Sequence, residues 1–146
     1  MSALTPIETA NVELVERFWE ALGRRDFEAV GAFMAPRGQY IDVPLVDGEE
    51  GAFGPAETEA RLRLGLEPLD RYELYPGPIL ARDETVITEH SEAWWWHTGE
   101  HHLVRFCSVM EIRNGLVERW WDYLDISQIL AVAPSWWVEQ IMVGYK

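Results

Sequence analysis

From residue 72 to residue 125 the chain alternates apolar and polar side chains over stretches that are too long and too regular for loops. A period of two is typical of β-strands, because successive side chains of a strand point to opposite faces of a sheet. Short turn sequences divide the run, and Asn114-Gly115 is a strong signal for a two-residue β-hairpin. The pattern predicts an antiparallel meander whose strands cover residues 72–80, 85–97, 102–113 and 116–125.

Helical signals precede these strands. Thr5 and Glu8 form a capping box around a first-turn proline, and they predict a helix that ends at Gly23. Asp26 is a favourable N-cap for a short second helix. The other predicted boundaries are closure of the second helix by Pro36 and Gly38, a strand over residues 39–43, and a third helix over residues 56–66.

The order of these elements indicates an α+β fold in which the helices cover one face of a curved antiparallel sheet. A chain of 146 residues with 48% apolar content has the size of one domain, which we expect to span residues 1–146. The tail, residues 126–146, is too apolar to be disordered. We expect it to pack over the sheet or against a second subunit.

The chain is strongly acidic, with a net charge of -13. Binding of nucleic acid or of an anionic membrane requires clustered Lys and Arg side chains, and the 12 present here are scattered. No apolar run approaches the roughly 20 residues that span a bilayer. We therefore expect a cytoplasmic protein that binds small molecules or other proteins, with a buried, inert thiol at its single cysteine, Cys107.

Two local features leave their role open. The segment 47–55 is acidic and rich in glycine, so it forms either a lid or a simple connection. His101 and His102 follow the turn at Gly99, which predicts a solvated pair in a loop.

Strand alternation brings ionisable side chains to one face of the predicted sheet. His90 and Glu92 share a face of their strand, and Asp122 joins them if the corresponding face of the last strand also meets the helices. Tyr40 and Asp42 have the same spacing on the first strand. The pattern predicts an acid-base catalytic site formed by Tyr40, Asp42, His90, Glu92 and Asp122.

Buried carboxyl groups this close together cannot all be ionised at low cost, so at least one should donate a proton near neutral pH. The same residues also admit a purely structural role, in which His90 and Glu92 form an ion pair and Asp122 caps a backbone turn. Their spacing matches no metal signature, and we expect neither a metal nor another cofactor.

Large side chains share these faces, and the chain contains eight tryptophans. We predict that an aromatic or polycyclic substrate binds among Trp94, Trp96, Trp120, Phe106 and Met110. Packing of the core is the alternative explanation for the Trp94–Trp96 run. Trp95 and Trp121 point to the opposite face of the sheet, which suggests a subunit interface and hence a homodimer.

Several stretches also carry a resemblance to a known family: RRDFEAV at residues 24–30, QYIDVPL at 39–45 and MEIRNGLVERWWDYLDI at 110–126. With the element order, they make residues 8–130 similar to the nuclear transport factor 2-like superfamily, in particular its SnoaL-like and limonene-epoxide-hydrolase-like branch. The resemblance implies an α+β cone with a deep pocket, usually dimerised through the outer face of the sheet.

The resemblance also implies roles for individual residues. In the epoxide hydrolases of this branch, a Tyr and an Asn help to hold the attacking water, and Tyr40 and Asp42 occupy those places. The family's Arg and Asp, two residues apart on a strand, correspond to His90 and Glu92, while its catalytic base corresponds to Asp122. His90 thus replaces the family's arginine, so a permanent cation becomes an imidazole. Asp42 replaces its asparagine, so an amide becomes a carboxyl group.

The superfamily further includes cofactor-independent dehydratases and isomerases, and a lyase that acts on lignin-derived diarylpropanes. With the Trp-rich wall, the resemblance favours a cofactor-independent lyase that removes water or formaldehyde from a bulky aromatic alcohol. Glu92 would protonate the leaving hydroxyl with His90 as its partner, and Asp122 would be the base. Epoxide hydrolysis is the first alternative, and an isomerase or a non-catalytic small-molecule binding protein is a further one.

Overall fold

The computed structural model describes residues 3–45 and 51–146. In chain order its elements are α1 (Pro6–Gly23), α2 (Phe27–Ala32), β1 (Met34–Asp42), β2 (Ala52–Phe53), α3 (Gly54–Leu66), β3 (Arg71–Arg82), β4 (Thr85–Trp95), β5 (His101–Arg113), β6 (Leu116–Tyr123), α4 (Ile126–Val132) and α5 (Ser135–Val143). The predicted α+β class is confirmed.

The strands form one curved, open sheet in the order β2-β1-β6-β5-β4-β3. The strands β3 to β6 pair as the predicted antiparallel meander, and the β5–β6 turn at Asn114 and Gly115 has both residues at positive φ. The pairing of β1 with β6 is parallel, and it was not indicated by the sequence. This pairing sets Tyr40 opposite Trp120 and Asp42 opposite Asp122.

Helix α1 begins and ends where the sequence predicts. The Thr5 side chain accepts a hydrogen bond from the Glu8 amide, and the Glu8 carboxylate accepts one from the Thr5 amide at 2.9 Å. The buried side chains of α1 face the sheet and include Leu14, Val15, Phe18, Trp19 and Leu22. Helix α1 therefore supplies one wall of the core, and Trp19 reaches from it to His90 with ring centroids 4.2 Å apart.

The predicted closure of α2 by Pro36 and Gly38 is wrong. Helix α2 ends at Ala32, and both residues lie inside β1 at a shift of its register with β6. The close approach of the two strands requires glycine, since a Cβ atom at Gly38 would lie 2.3 Å from the Val117 carbonyl oxygen. The turn signals of Pro36 and Gly38 therefore mark a β-bulge rather than the end of a helix.

The prediction of a buried thiol at Cys107 is also wrong. Phe106 and Ser108 point into the core, so alternation along β5 turns Cys107 to the outer face, where it is exposed. His101 and His102 belong to β5 rather than to a loop, because the strand begins one residue earlier than predicted. Of the segment 47–55, residues 47–50 lie outside the described residues, Gly51 is a bend, and residues 52–55 form β2 and the start of α3.

The tail packs over the inner face of the sheet, which is one of the two arrangements predicted for it. Trp137 of α5 is buried against Trp94 and Trp96, with ring centroids 5.9 and 5.5 Å away. Its Nε1 donates to the Gly65 carbonyl at 2.9 Å, and the side-chain Nε2 of Gln140 donates to the Leu64 carbonyl at 3.1 Å. These bonds satisfy carbonyl groups in the last turn of α3, which have no partner within the helix.

Among the helices of the described residues, none combines the length and apolar character needed to cross a bilayer.

Candidate active site

A cavity of about 480 Å³ lies between the inner face of the sheet, α3 and the two C-terminal helices. Its volume is in the range of sites for small molecules. Of the residues predicted from the sequence, its lining includes Tyr40, Asp42, Glu92, Trp94, Phe106, Trp120 and Asp122. Trp96 and Met110 are buried in the core outside this lining, and His90 lies behind Glu92.

Asp122 lines the cavity, and the protein fixes one of its two carboxyl oxygens. Its Oδ1 accepts hydrogen bonds from Ser108 Oγ and, at 2.7 Å, from Trp120 Nε1. Its Oδ2 makes no hydrogen bond to the residues that the structure describes. Burial raises the pKa of Asp122 well above its usual value, and the neighbouring charge of Asp42 raises it further. The hydrogen bonds from Ser108 and Trp120 oppose this rise, and burial outweighs them, so the protonated form of Asp122 is favoured relative to an exposed aspartate.

Asp42 lies beside Asp122 but has a cation of its own. The Arg61 Nη2 donates to Asp42 Oδ2 at 3.0 Å, and the Tyr40 hydroxyl lies 3.2 Å from Asp42 Oδ1. Burial raises the pKa of Asp42, while the charge and hydrogen bond of Arg61 oppose that shift. Of the two adjacent carboxyl groups, Asp42 is therefore the one whose ionised form is favoured by a neighbouring cation.

Tyr40 is fixed between Asp42 and the aromatic wall. Its ring stacks on Trp120 with centroids 3.9 Å apart, and the Arg61 guanidinium lies 5.2 Å from the Tyr40 centroid. Burial, followed by the charge of Asp42, raises the pKa of Tyr40 well above its usual value. The phenol is thus a neutral hydrogen-bond donor at physiological pH.

Glu92 and His90 form a buried pair on β4. His90 Nε2 lies 3.0 Å from Glu92 Oε2, and Trp94 Nε1 donates to Glu92 Oε1 at 3.2 Å. The imidazole is held between Phe106 and Trp19, and its Nδ1 is buried without a partner. The buried Nδ1 leaves Nε2 as the ring nitrogen through which His90 interacts with the protein, and its partner is Glu92.

Four residues at or near this site were missed from the sequence. They are Arg61, Tyr72, Ser108 and Trp137. Arg61 lies three residues after the buried Thr58, at the edge of the inner face of α3, and this helical spacing was the available signal. Ser108 lies between two inward apolar residues of β5, so alternation alone was sufficient to find it.

Tyr72 of β3 is a buried phenol whose hydroxyl lies close to Glu92. Its pKa is raised first by burial and then by the negative charge of Glu92. In residues 3–45 and 51–146 no three His, Cys, Asp or Glu side chains are arranged as ligands of a metal ion.

The site thus places three carboxyl groups with different partners, those of Asp42, Glu92 and Asp122, beside a buried phenol at the end of an aromatic cavity. Together with the curved sheet wrapped around its helices, it defines a cone-shaped α+β protein with a pocket large enough for a small molecule. Residues 15–120 match the SnoaL-like domain, and the chain belongs to this family of the nuclear transport factor 2-like superfamily. The predicted family is therefore confirmed. No curated protein matches the sequence significantly.

Solved structures with this fold include enzymes. A limonene-epoxide-hydrolase-like epoxide hydrolase from M. tuberculosis has 26% sequence identity and a TM-score of 0.71, with 86% of this chain and 90% of that chain covered. A protein from Jannaschia sp. CCS1 described as a SnoaL-like polyketide cyclase has 20% identity and a TM-score of 0.77, with 92% and 99% covered. A protein of ketosteroid isomerase-like fold from Catenulispora acidiphila has 17% identity and a TM-score of 0.73, with 88% and 92% covered.

Proposed function

We propose that the protein is a cofactor-independent acid-base lyase that acts on a bulky aromatic alcohol. One observation carries the proposal: Asp122, a carboxyl group whose pKa is raised by burial, lines a cavity together with Trp94, Trp120 and Phe106. The roles differ from those expected from the sequence. Asp122, whose pKa is raised by burial, is the proposed acid, and Glu92, which accepts a hydrogen bond from Trp94 and pairs with His90, is the proposed base.

In the proposed dehydration, Asp122 gives its proton to the departing hydroxyl, the C–O bond breaks and water leaves. A proton on the neighbouring carbon passes to the Glu92 carboxylate, and its electron pair forms the new C=C bond. If that carbon carries a hydroxymethyl group, Glu92 takes the proton of this hydroxyl instead, the C–C bond breaks and formaldehyde leaves as well. Return of the proton through solvent restores both groups. Tyr40 and Asp42 position the substrate oxygen.

Hydrolysis of an epoxide is the second candidate, favoured by the 26% identity with the epoxide hydrolase from M. tuberculosis. Tyr40, Asp42 and Asp122 lie together where a water molecule would be activated. In that mechanism Asp122 must first lose its proton, since only a carboxylate can accept one from water. Activity would then rise with pH as Asp122 ionises, whereas the lyase requires Asp122 protonated and would lose activity over the same range.

Product analysis in oxygen-18 water separates the two candidates. The protein is incubated with 1,2-diarylpropane-1,3-diols and with aryl epoxides, and the products are analysed by mass spectrometry. We expect an unlabelled alkene with release of formaldehyde. A diol with one labelled oxygen would establish the hydrolase instead, and absence of turnover of both sets would contradict both and favour an isomerase or a binding protein.

The Glu92→Gln variant tests the proposed base, and we expect it to lower kcat about 100-fold or more. Glu89→Gln is the matched control, because Glu89 lies on the exposed outer face of the same strand. An equal response of the two variants would contradict the assignment.

We also propose that the protein forms a homodimer through the outer face of the sheet. Ile87, Leu103 and Tyr123 expose 40%, 40% and 42% of their surface there, which is unusual for apolar side chains on one flat face. Light scattering should give the mass of two chains. The exposed Cys107 thiol lies on this face, so its reaction with a thiol reagent should slow as protein concentration rises and the dimer forms. A monomer with a concentration-independent labelling rate would contradict the interface.

A further inference from the structure

We infer that Arg61 binds an acceptor oxygen of the ligand, so that the preferred substrate is an aromatic alcohol that also carries a carbonyl or carboxylate group. This inference rests on the proposed function for the alcohol group and the cavity, and it specifies the class of substrate. Arg61 lines the cavity, and its side chain is only 13% exposed. A guanidinium has five N–H donors in one plane, arranged to bind the oxygens of such groups.

Arg61 has unused donors. Within the described part of the chain its only hydrogen bond runs from Nη2 to Asp42, which leaves the donors on Nε and Nη1 without a protein partner. Because Arg61 lines the cavity, a ligand bound there can reach its guanidinium. The protein therefore holds a largely buried cation in place while leaving part of its binding edge free.

Arg63, on the same helix, shows the contrasting arrangement. Its Nε and Nη2 interact with Glu59 and its Nη1 donates to Glu67 at 2.6 Å, so all three nitrogens have carboxylate partners. It also lies at the surface, with 44% of its side chain exposed. Arg63 shows that all three guanidinium nitrogens of an arginine on α3 can have carboxylate partners. The unpaired donors of Arg61 therefore follow from its position in the cavity.

The orientation of a ligand follows from the other groups at the site. The Arg61 guanidinium lies over the Tyr40 ring, which in turn stacks on Trp120. A flat ligand whose oxygen accepts from Arg61 would place its rings along this aromatic wall, with Asp122 beside the same end. Binding at Arg61 would thus direct the reacting carbon towards the proton of Asp122.

Three ligands of the same ring system test the inference: 2-naphthoate, 2-acetylnaphthalene and 2-ethylnaphthalene. Their affinities are measured by quenching of tryptophan fluorescence and by calorimetry, without need for turnover. We expect at least one of the two oxygen-bearing ligands to bind about 10- to 100-fold more tightly than the hydrocarbon. Arg61→Met should abolish that preference and leave the affinity for 2-ethylnaphthalene within about 2-fold, because hydrogen bonds to the guanidinium supply the difference.

Arg63→Met is the control and should keep the preference. Because Arg61→Met leaves Asp42 without its cation, the double variant with Asp42→Asn removes that charge and checks that loss of the preference is not caused by misfolding. Arg61→Lys should retain part of the preference, since it keeps the charge but not the planar donor edge. Equal affinity of the wild-type protein for all three ligands, or a preference that survives Arg61→Met, would overturn the inference. Neither result depends on whether the protein is a lyase.

Discussion

Asp122→Asn is expected to lower kcat at least about 100-fold and at the same time to raise the melting temperature at neutral and alkaline pH. The loss of activity follows because an amide cannot supply the proton that the carboxyl gives to the leaving oxygen. The amide oxygen can still accept the hydrogen bonds from Ser108 and Trp120, so the local structure is preserved. Activity and thermal unfolding of wild type and variant, measured in parallel across pH, check both parts.

The gain in stability has a defined dependence on pH. Burial raises the pKa of Asp122 in the folded state above the value of about 3.9 that an unfolded chain gives it. Between these two pKa values the folded state binds more protons, so a rise in pH destabilises the wild-type protein by about 1.4 kcal/mol per pH unit. The advantage of Asp122→Asn should therefore be absent below about pH 4, grow as pH rises and level off above the folded pKa.

Asp125→Asn provides the matched control, because Asp125 is an exposed N-cap of α4 and its pKa is lowered rather than raised. Asparagine is an equally good N-cap, so activity and melting temperature should change little. If Asp122→Asn were less stable than the wild type throughout the alkaline range, Asp122 would be ionised at little cost and the proposed acid would be wrong.

The parts of the fold that depend only on residues close together in the sequence could be predicted from it. The capping box of α1 and the hairpin at Asn114 are local signals. The side chains of β4 and β6 that face the core follow from alternation once one face of the sheet is buried. Alternation also predicted that Glu92 and Asp122 would share a pocket lining, since a strand offers only two faces.

What the sequence could not supply are contacts between distant segments. The parallel pairing of β1 with β6 sets Asp42 beside Asp122, and a salt bridge from α3 brings Arg61 to Asp42. Together they influence which carboxyl ionises more readily, because pKa depends on burial and on charges from every side. The expected roles of Glu92 and Asp122 were assigned without these neighbours, and for that reason our proposal now exchanges them.

Trp137→Ala is expected to lower the free energy of unfolding by about 3–5 kcal/mol, the usual range for truncation of a buried tryptophan. The indole of Trp137 is 5% exposed, packs between Trp94 and Trp96, and donates to the Gly65 carbonyl. Its removal leaves a void and a carbonyl without its partner in the last turn of α3. Chemical denaturation followed by circular dichroism gives the difference in free energy.

Trp136 offers a matched control at the adjacent position. It is half-buried, contacts His97 with ring centroids 4.8 Å apart, and donates to Thr98 at 3.3 Å on an exposed part of the surface. Trp136→Ala should therefore lower the stability by about 1 kcal/mol, because it loses only an exposed hydrogen bond and partial packing.

The same pair of variants tests whether α5 closes the cavity. Trp137 lines the cavity and Trp136 does not. Trp137→Ala should therefore weaken the binding of 2-ethylnaphthalene, a ligand held by apolar contact, about 10-fold, while Trp136→Ala leaves it unchanged. A loss of stability without a loss of affinity would show that α5 supports the core but does not form the wall of the site. Equal effects of the two variants on both quantities would contradict the packing of α5 against the sheet.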